Sequence, residues 1–397
     1  MNRAIKLLLG FISLLFAGII YAWSILKEPL AAEFSWTPSQ LALNFTFTMW
    51  FFCIGGIAAG VMVRKLKPRY VVMTGGLLSG ASFILTAANS GSLTALYMTY
   101  GVLGGTGIGM AYNAVISSTN AWFPDKKGTS SGTMMMGFGL SSLILGNIAN
   151  IMIGLSGVGW RATYVLIGAS LGLVLIVTGF FMSVPGPEVK LPEPKKKTSK
   201  DDYVTIELDA SEMRKRLTFW KLFIFFTFIV GVGNSVISFA KDLSLSVGAG
   251  DSPAAVLVGV LAVCNGLGRI MCGLSYDTFG RNRTMLYATF VNIAAPFVLL
   301  MAVMTGSITL CVAGICLTGI GYGCCPTLKA AVMLDFYGGK NFNLNFSILL
   351  ISLIPASMFA TVSNLMAQNT GSYQSTFIML LSCALTALVI NFSIKGP

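Results

Sequence analysis

Arg269 is the residue best placed to do chemistry. It sits in an otherwise uncharged run, Pro253 to Ser275, eight residues before the next charge, Asp277. At 1.5 Å per helical residue, that is roughly 12 Å in from the end of an apolar helix. A guanidinium keeps its proton in a protein, so the site is permanently positive. A cation at such depth is costly and faces a water-filled path or a partner. The chemistry it offers is anion binding. The competing reading is a structural arginine bonded to carbonyls or snorkelling to the surface. Asn265 precedes it by four residues and so shares its helical face, placed to hold the guanidinium or to touch a ligand.

Other polar side chains lie inside apolar runs. Tyr21 and Tyr322 each carry an apolar body and a hydroxyl, suited to a small organic acid and equally to packing. Tyr112 and Asn113 fall in the middle of one run, with a pore role or a core role open. Asn234 and Ser235 follow Gly231 and Gly233, a spacing that suggests a local unwinding point or helix–helix hydrogen bonds. The chain has no histidine, which excludes a His-based proton relay or metal site. Its eight cysteines fall in or near apolar runs and read as small buried hydrophobes. Neither a metal nor a cofactor is implied. The Met134-Met135-Met136 run reads as lipid-facing or core surface.

These residues need a membrane-spanning framework. The chain has 397 residues, 55% of them hydrophobic and 10% charged. Soluble domains carry about 25% charged residues, so composition implies a polytopic membrane protein. The net charge of +12 lies in short clusters between apolar runs, which argues against nucleic-acid binding and for encoded topology. Runs of about 20 apolar residues predict twelve spanning helices, near 4–26, 42–64, 70–90, 93–121, 129–155, 161–184, 218–240, 253–275, 283–304, 307–333, 343–367 and 372–394. Residues 7–25 resemble a signal peptide's apolar stretch but are long enough to span, and read as a retained first helix.

Numbering the loops alternately from inside places 22 of the 26 Lys and Arg residues on the inner side, Lys329 and Lys340 among them. Only Lys27, Arg161 and Lys241 lie outside, and Arg269 lies within a span. That asymmetry predicts twelve helices with both termini cytoplasmic, in a bacterial-type inner (plasma) membrane.

The expected organisation is an N-terminal six-helix bundle (1–184), a cytoplasmic linker (185–217) and a C-terminal six-helix bundle (218–397). The linker holds Pro187 and Pro194, the run Lys195-Lys196-Lys197 and Asp201-Asp202, and ends in SEMRKRL, a candidate surface helix. It reads as a solvated, topology-setting segment, with contact to anionic lipid the alternative. The halves show internal similarity. Thr106-Gly107-Ile108-Gly109 recurs as Thr318-Gly319-Ile320-Gly321, an offset of 212, and the loop from Gly60 matches that from Gly273 at 213.

That second loop, Gly273-Leu-Ser-Tyr-Asp277-Thr-Phe-Gly280-Arg281-Asn-Arg283, is the clearest motif. Gly273 allows close helix approach, Asp277 can bond backbone N–H groups or a nearby Arg, and Gly280 permits a tight turn. The loop resembles the cytoplasmic signature of the major facilitator superfamily of secondary transporters. In the first half Arg64 stands where the acid would be and Lys67 replaces the second glycine, so the charge latch is altered there. Further segments narrow the resemblance: Gly18-Ile-Ile-Tyr21-Ala-Trp23-Ser24; Gly105-Thr-Gly-Ile-Gly109-Met-Ala-Tyr112-Asn113 leading to Trp122-Phe123-Pro124-Asp125-Lys126-Lys127-Gly128; and Gly319-Ile-Gly321-Tyr322 with Pro326 and Asp335. Together they are similar to the oxalate/formate antiporter-like branch, related to monocarboxylate carriers, over nearly the whole chain outside the linker.

The resemblance implies an all-α major facilitator fold, alternating access and no enzyme activity. It implies small carboxylates held by Arg269 in helix eight and by aromatics at Tyr21 and Tyr322, with Asn265, Tyr112 and Asn113 as further candidates. Gly273, Asp277, Gly280 and Arg281 are the candidate conformational residues, with Asp125 in the loop after helix four and Asp242 at the outer end of helix seven. Oxalate carriers place a second cation in helix eleven where this chain has Leu353. One inner cation complements one carboxylate, which favours formate, lactate or pyruvate over oxalate. An oxalate/formate-type exchanger and a transporter-like membrane sensor are the alternatives. Proton symport and anion exchange both stay open, because no Asp or Glu lies in mid-span. Asp242 can gate a proton or simply pair with Lys241 or Arg161. The expected partners are a small carboxylate, protons and membrane lipid, with no nucleic acid, and the expected state is a monomer.

Overall fold

The computed structural model describes residues 2–186, 188–189, 191–192 and 205–397. Pro187, the lysine run 195–197 and Asp201-Asp202 of the linker lie outside them. Among the described residues the chain is all helix, without strands. Ten helical stretches are long and apolar enough to cross a membrane. Two details bring the number of crossings to twelve. The fourth is divided into α5 (Leu93–Leu96), a π-helical stretch Tyr97–Gly104 and α6 (Gly105–Asn120). The eighth and ninth form one 55-residue element, α11 (Asp251–Thr305), bent at Gly280 with φ 78° and ψ 179°. Only glycine adopts that conformation readily, which is why the bend falls there.

The remaining crossings are continuous or lightly broken. The first comprises α1 (Arg3–Ala17), a 3₁₀ turn Gly18–Ala22 and α2 (Trp23–Phe34). Then come α3 (Pro38–Met62), α4 (Pro68–Ala87), α7 (Lys127–Gly154) and α8 (Gly159–Phe181). The candidate surface helix is α9 (Ala210–Lys215), capped at its start by Asp209. After it run α10 (Leu217–Ser246) and α12 (Ile308–Tyr337). The eleventh crossing breaks at Ile351-Ser352 into α13 (Phe342–Leu350) and α14 (Leu353–Thr370), and α15 (Gln374–Ser393) is last. The unwinding expected at Gly231 to Ser235 is absent. α10 stays helical there and departs from helical geometry at Phe239. The two glycines instead admit rings: Phe359 lies against Gly231 and Tyr322 against Gly233.

Two compact units emerge. The first holds residues 1–124, 137–193 and 341–348, and the second holds 125–136, 194–340 and 349–397. In the first, α6 is the central element, packed on α1, α3 and α4, with α4 also against α8. Gly75 and Gly107 face each other so closely that a Cβ at Gly75 would lie 2.6 Å from the Gly107 carbonyl oxygen. Small residues allow such approach where no hydrophobic drive exists between helices in lipid. In the second unit α11 packs along α12, with α10, α14 and α15 around them. Val232, Val236, Phe239, Leu299, Ile315 and Phe377 form its buried core.

The internal repeat is visible in this packing, at a corrected register. Gly105 and Gly109 abut α3, whereas Gly107 abuts α4. Gly319 and Gly323 abut the first part of α11 around Asn265, whereas Gly321 abuts Asn292 in its second part. Equivalent positions therefore differ by 214, and the four-residue identity at 212 is two residues out of helical register.

Candidate functional site

Arg269 is only 2% exposed. Its Nε donates to Asn265 Oδ1 at 3.1 Å, and an Nη1 hydrogen goes to the carbonyl of Met135 in α7. The i,i+4 spacing thus delivers a fixed guanidinium, with two of its five N–H donors engaged among the described residues. Both acceptors are neutral, and no carboxylate pairs with Arg269 there. Met134 and Met135 are fully buried core residues, and Met136 is half-buried. α12 supplies the opposite wall. Gly323 lies against the backbone of Asn265 and Arg269, and Thr327 Oγ1 donates to the Arg269 carbonyl at 3.4 Å. Tyr322, half-buried, is one residue before that contact.

Lys329 was counted above with the inner loops. Instead, α12 continues to Tyr337 and buries Lys329 to 1% exposure. Its Nζ donates to Ser352 Oγ at 2.7 Å and lies 5.4 Å from the Phe226 ring centre. Ser352 is at the break between α13 and α14, next to Leu353. Sequence reasoning missed this lysine because it was counted with an inner loop although the expected span, 307–333, already encloses it; the observed helix runs four residues further, to Tyr337. The clue was the uncharged stretch on both sides of Lys329, from Ile308 to Leu334 apart from the lysine itself.

The other ligand candidates belong to the first unit. Tyr21, in the 3₁₀ turn, meets Phe138 edge-on at 5.2 Å, and Tyr112 meets the same ring at 4.9 Å. Phe52 also lies 5.1 Å from Tyr112, so these aromatics form one cluster. Asn113 is fully buried and donates to Asn343 O at 2.9 Å and to Ser347 Oγ, tying α6 to α13. Ser347 Oγ in turn donates to Gly56 O at 2.7 Å. Arg269, Asn265 and Tyr322 thus come together in the second unit, and Tyr21, Tyr112 and Asn113 in the first.

The conformational candidates also separate by role. Asp277 accepts from Gly128 N at 2.8 Å, Thr129 N at 2.7 Å and Thr129 Oγ1 at 2.5 Å. It therefore caps the first turn of α7, where unsatisfied N–H groups and the helix dipole favour a carboxylate. Beyond the end of the eighth span, burial pushes its carboxyl above the usual range, opposed by the bonds from Thr129 and Gly128; Asp125 adds a smaller upward push. Gly273 and Gly128 meet backbone to backbone, with a Cβ at Gly128 falling 2.5 Å from Gly273 O. Arg281, 2% exposed, faces the chain's end, donating to Ile394 O at 3.0 Å and Lys395 O at 3.2 Å beneath the Phe336 ring. Asp242 is exposed. Arg161, raised as a partner for it, pairs with Glu33 at 2.7 Å.

In the first half, Arg64 Nη2 approaches Asn341 Oδ1 at 3.5 Å. A carboxylate from the linker is held at the turn after α12. Glu207 accepts from Gly339 N and Lys340 N, each at 3.1 Å, just before α13. A main-chain bond from Ile206 N to Phe336 O at 3.0 Å holds that segment in place.

A family model described as Major Facilitator Superfamily matches residues 7–341. The chain belongs to this superfamily. It is a multi-pass membrane transporter rather than an enzyme, with the twelve-helix fold of its family. The uncharacterized MFS-type transporter YhjX of Escherichia coli (strain K12) is 29% identical over 344 residues, covering 86% of this chain and 83% of that one. The oxalate:formate antiporter of Oxalobacter formigenes is 28% identical over 301 residues, covering 73% and 67%. Monocarboxylate transporter 2 of Rattus norvegicus is 25% identical over 382 residues, covering 90% and 76%. These relatives match the oxalate/formate antiporter-like branch. Among solved structures, the proton:xylose symporter XylE has a TM-score of 0.75 at 13% identity, covering 98% of this chain and 95% of that one. FucP in its outward conformation has a TM-score of 0.73 at 13% identity, covering all of both chains. These two likenesses concern the fold.

Proposed function

We propose that this protein is a secondary active transporter that carries small organic carboxylates by alternating access, as a proton symporter or an anion exchanger. The observation that carries the reading is Arg269: a buried guanidinium held by neutral protein oxygens, with no carboxylate beside it among the described residues. Such a centre attracts an anion and repels cationic cargo. Bringing a carboxylate into low dielectric is less costly beside a fixed positive charge. Tyr322 and Asn265 flank that centre. Tyr21, Tyr112 and Asn113 are the proposed contributors of the first half, in a two-bundle arrangement of residues 1–184 and 218–397 joined by the linker. The names of the oxalate:formate antiporter and the monocarboxylate transporter support the substrate class. The Lys and Arg asymmetry supports cytoplasmic termini in a bacterial-type inner membrane.

Formate, lactate and pyruvate fit a single cation such as Arg269. That preference rests on counting one inner positive charge, and Lys329 is buried as well. Its burial favours a second reading, a dicarboxylate such as oxalate. The test is uptake of labelled formate, lactate, pyruvate and oxalate into proteoliposomes, with and without a pH gradient. The expected result is uptake of at least one acid, lost in Arg269→Ala and reduced at least tenfold in Arg269→Lys, since an ammonium cannot offer the planar fork. Full uptake by Arg269→Ala removes the proposal and leaves a sensor or another cargo.

A further inference from the structure

We infer that Lys329 is a second anion-binding residue, and that it sets specificity for small acids carrying two negative groups. The inference rests on the carboxylate-carrier reading above. Its starting point is placement. Arg269 lies eight residues before Asp277, which caps α7, and Lys329 lies eight residues before Tyr337, where α12 ends. The first part of α11 and α12 run in the same direction through the membrane, both being even-numbered crossings. The two cations therefore lie at similar depth. Side contacts fix the level more closely: Gly323 and Thr327 straddle the Arg269 backbone, and Lys329 follows Thr327 by two residues, roughly 3 Å along the helix.

The direction in which Lys329 faces is equally informative. Tyr322, Pro326 and Lys329 recur at i, i+4 and i+7 and so form one stripe of α12. Tyr322 and Pro326 are half-buried, while the other residues from Gly323 to Gly338 are buried. The partly open stripe therefore ends at the lysine. α10 runs beside it, with Gly233 against Tyr322 and Phe226 against Lys329. Where the ammonium arrives, the eleventh crossing is interrupted, and Ser352 at that interruption accepts its hydrogen bond. Non-helical backbone at membrane depth is tolerated only where it is enclosed by protein or lines a water-filled space.

A buried ammonium carries a desolvation cost, which a neutral hydroxyl or an aromatic ring lowers and a bound anion lowers further. Two cations at one level repel each other until an anion lies between them. A dianion with its charges a few ångströms apart relieves that repulsion at both ends, and a monoanion at one.

The experiment compares wild type with Lys329→Met and Lys329→Arg in proteoliposomes. Labelled formate uptake is measured while unlabelled oxalate or lactate competes. Melting temperature of the purified proteins is followed in parallel with oxalate or formate added. The expected result is that Lys329→Met raises the oxalate concentration for half-inhibition at least tenfold and abolishes the oxalate-induced rise in melting temperature. Its KM for formate stays within about threefold, the range expected when a charge-assisted contact to the second carboxylate alone is lost. Lys329→Arg keeps oxalate inhibition within about threefold of wild type. The inference is overturned if oxalate neither competes with nor stabilises the wild type. It is also overturned if Lys329→Met weakens oxalate and formate equally, the signature of damaged packing, or changes neither. Absence of all carboxylate uptake by the wild type would instead strike the transport reading, while oxalate-induced stabilisation that depends on Lys329 would still be read in the melting arm.

Discussion

Replacing Gly128 by alanine should push the first turn of α7 away from α11. The added Cβ would lie 2.5 Å from Gly273 O, 2.9 Å from Tyr276 Cβ and 3.0 Å from Asp277 Oδ1. Ordinary contacts begin near 3.4 Å, and the closest atom is backbone, which cannot swing aside. The turn must therefore retreat by about 0.9 Å. The Asp277 bonds to Gly128 N and Thr129 N, now 2.8 and 2.7 Å, would stretch to about 3.6 Å, beyond hydrogen-bond range. Bonds to a charged group contribute about 1.5–3 kcal/mol each, and shared strain makes the two non-additive. A net loss of about 3 kcal/mol shifts the packed-to-parted ratio of this turn on the order of 100-fold. The assay uses a protein stripped of its native cysteines and carrying Ser130→Cys, a position 1% exposed. A membrane-permeant maleimide should label that cysteine slowly in the parent and at least tenfold faster with Gly128→Ala. Gly259→Ala is the control, because a Cβ there meets nothing within 4 Å. Equal labelling rates in the parent, Gly128→Ala and Gly259→Ala would refute the packing argument.

Glu207→Gln should weaken the hold on Gly339 N and Lys340 N by about 1–1.5 kcal/mol, seen as roughly tenfold faster amide exchange of those two residues; unchanged exchange would show that the linker carboxylate is a bystander. Gly280→Ala should cost about 1–3 kcal/mol, because φ 78° with ψ 179° is closed to side chains. Gly280→Asn should bring no relief, since asparagine tolerates the left-handed helical region but not this one; a melting temperature equal to wild type in either variant would contradict the assigned backbone.

Much of this framework was legible in the sequence, because apolar run length and the polar punctuation between runs follow from the thickness of a bilayer. The Arg269–Asn265 contact followed from helical spacing alone. The loop from Gly273 to Arg281 carried its own geometry: an acid at a helix end and a glycine where the chain must turn. What escaped depends on non-local partners. Asp277 is satisfied by α7, 148 residues away, and no local pattern names that partner. Lys329 looked like a loop residue because lysine usually marks one, although the expected tenth span already enclosed it; its burial against Ser352 shows its place. The glycines of α10 suggested unwinding, yet their use is to admit the rings of Phe359 and Tyr322. The repeat register was misjudged for a similar reason: a four-letter match weighs identity, whereas packing weighs which neighbour each small residue faces.

The hold of Arg281 on the last residues has a consequence for how this chain can vary. The guanidinium reaches the carbonyls of Ile394 and Lys395, which every amino acid possesses. Side-chain changes at those two positions leave the grip untouched. Any tail that keeps its main chain on this path is gripped in the same way, whatever letters spell it.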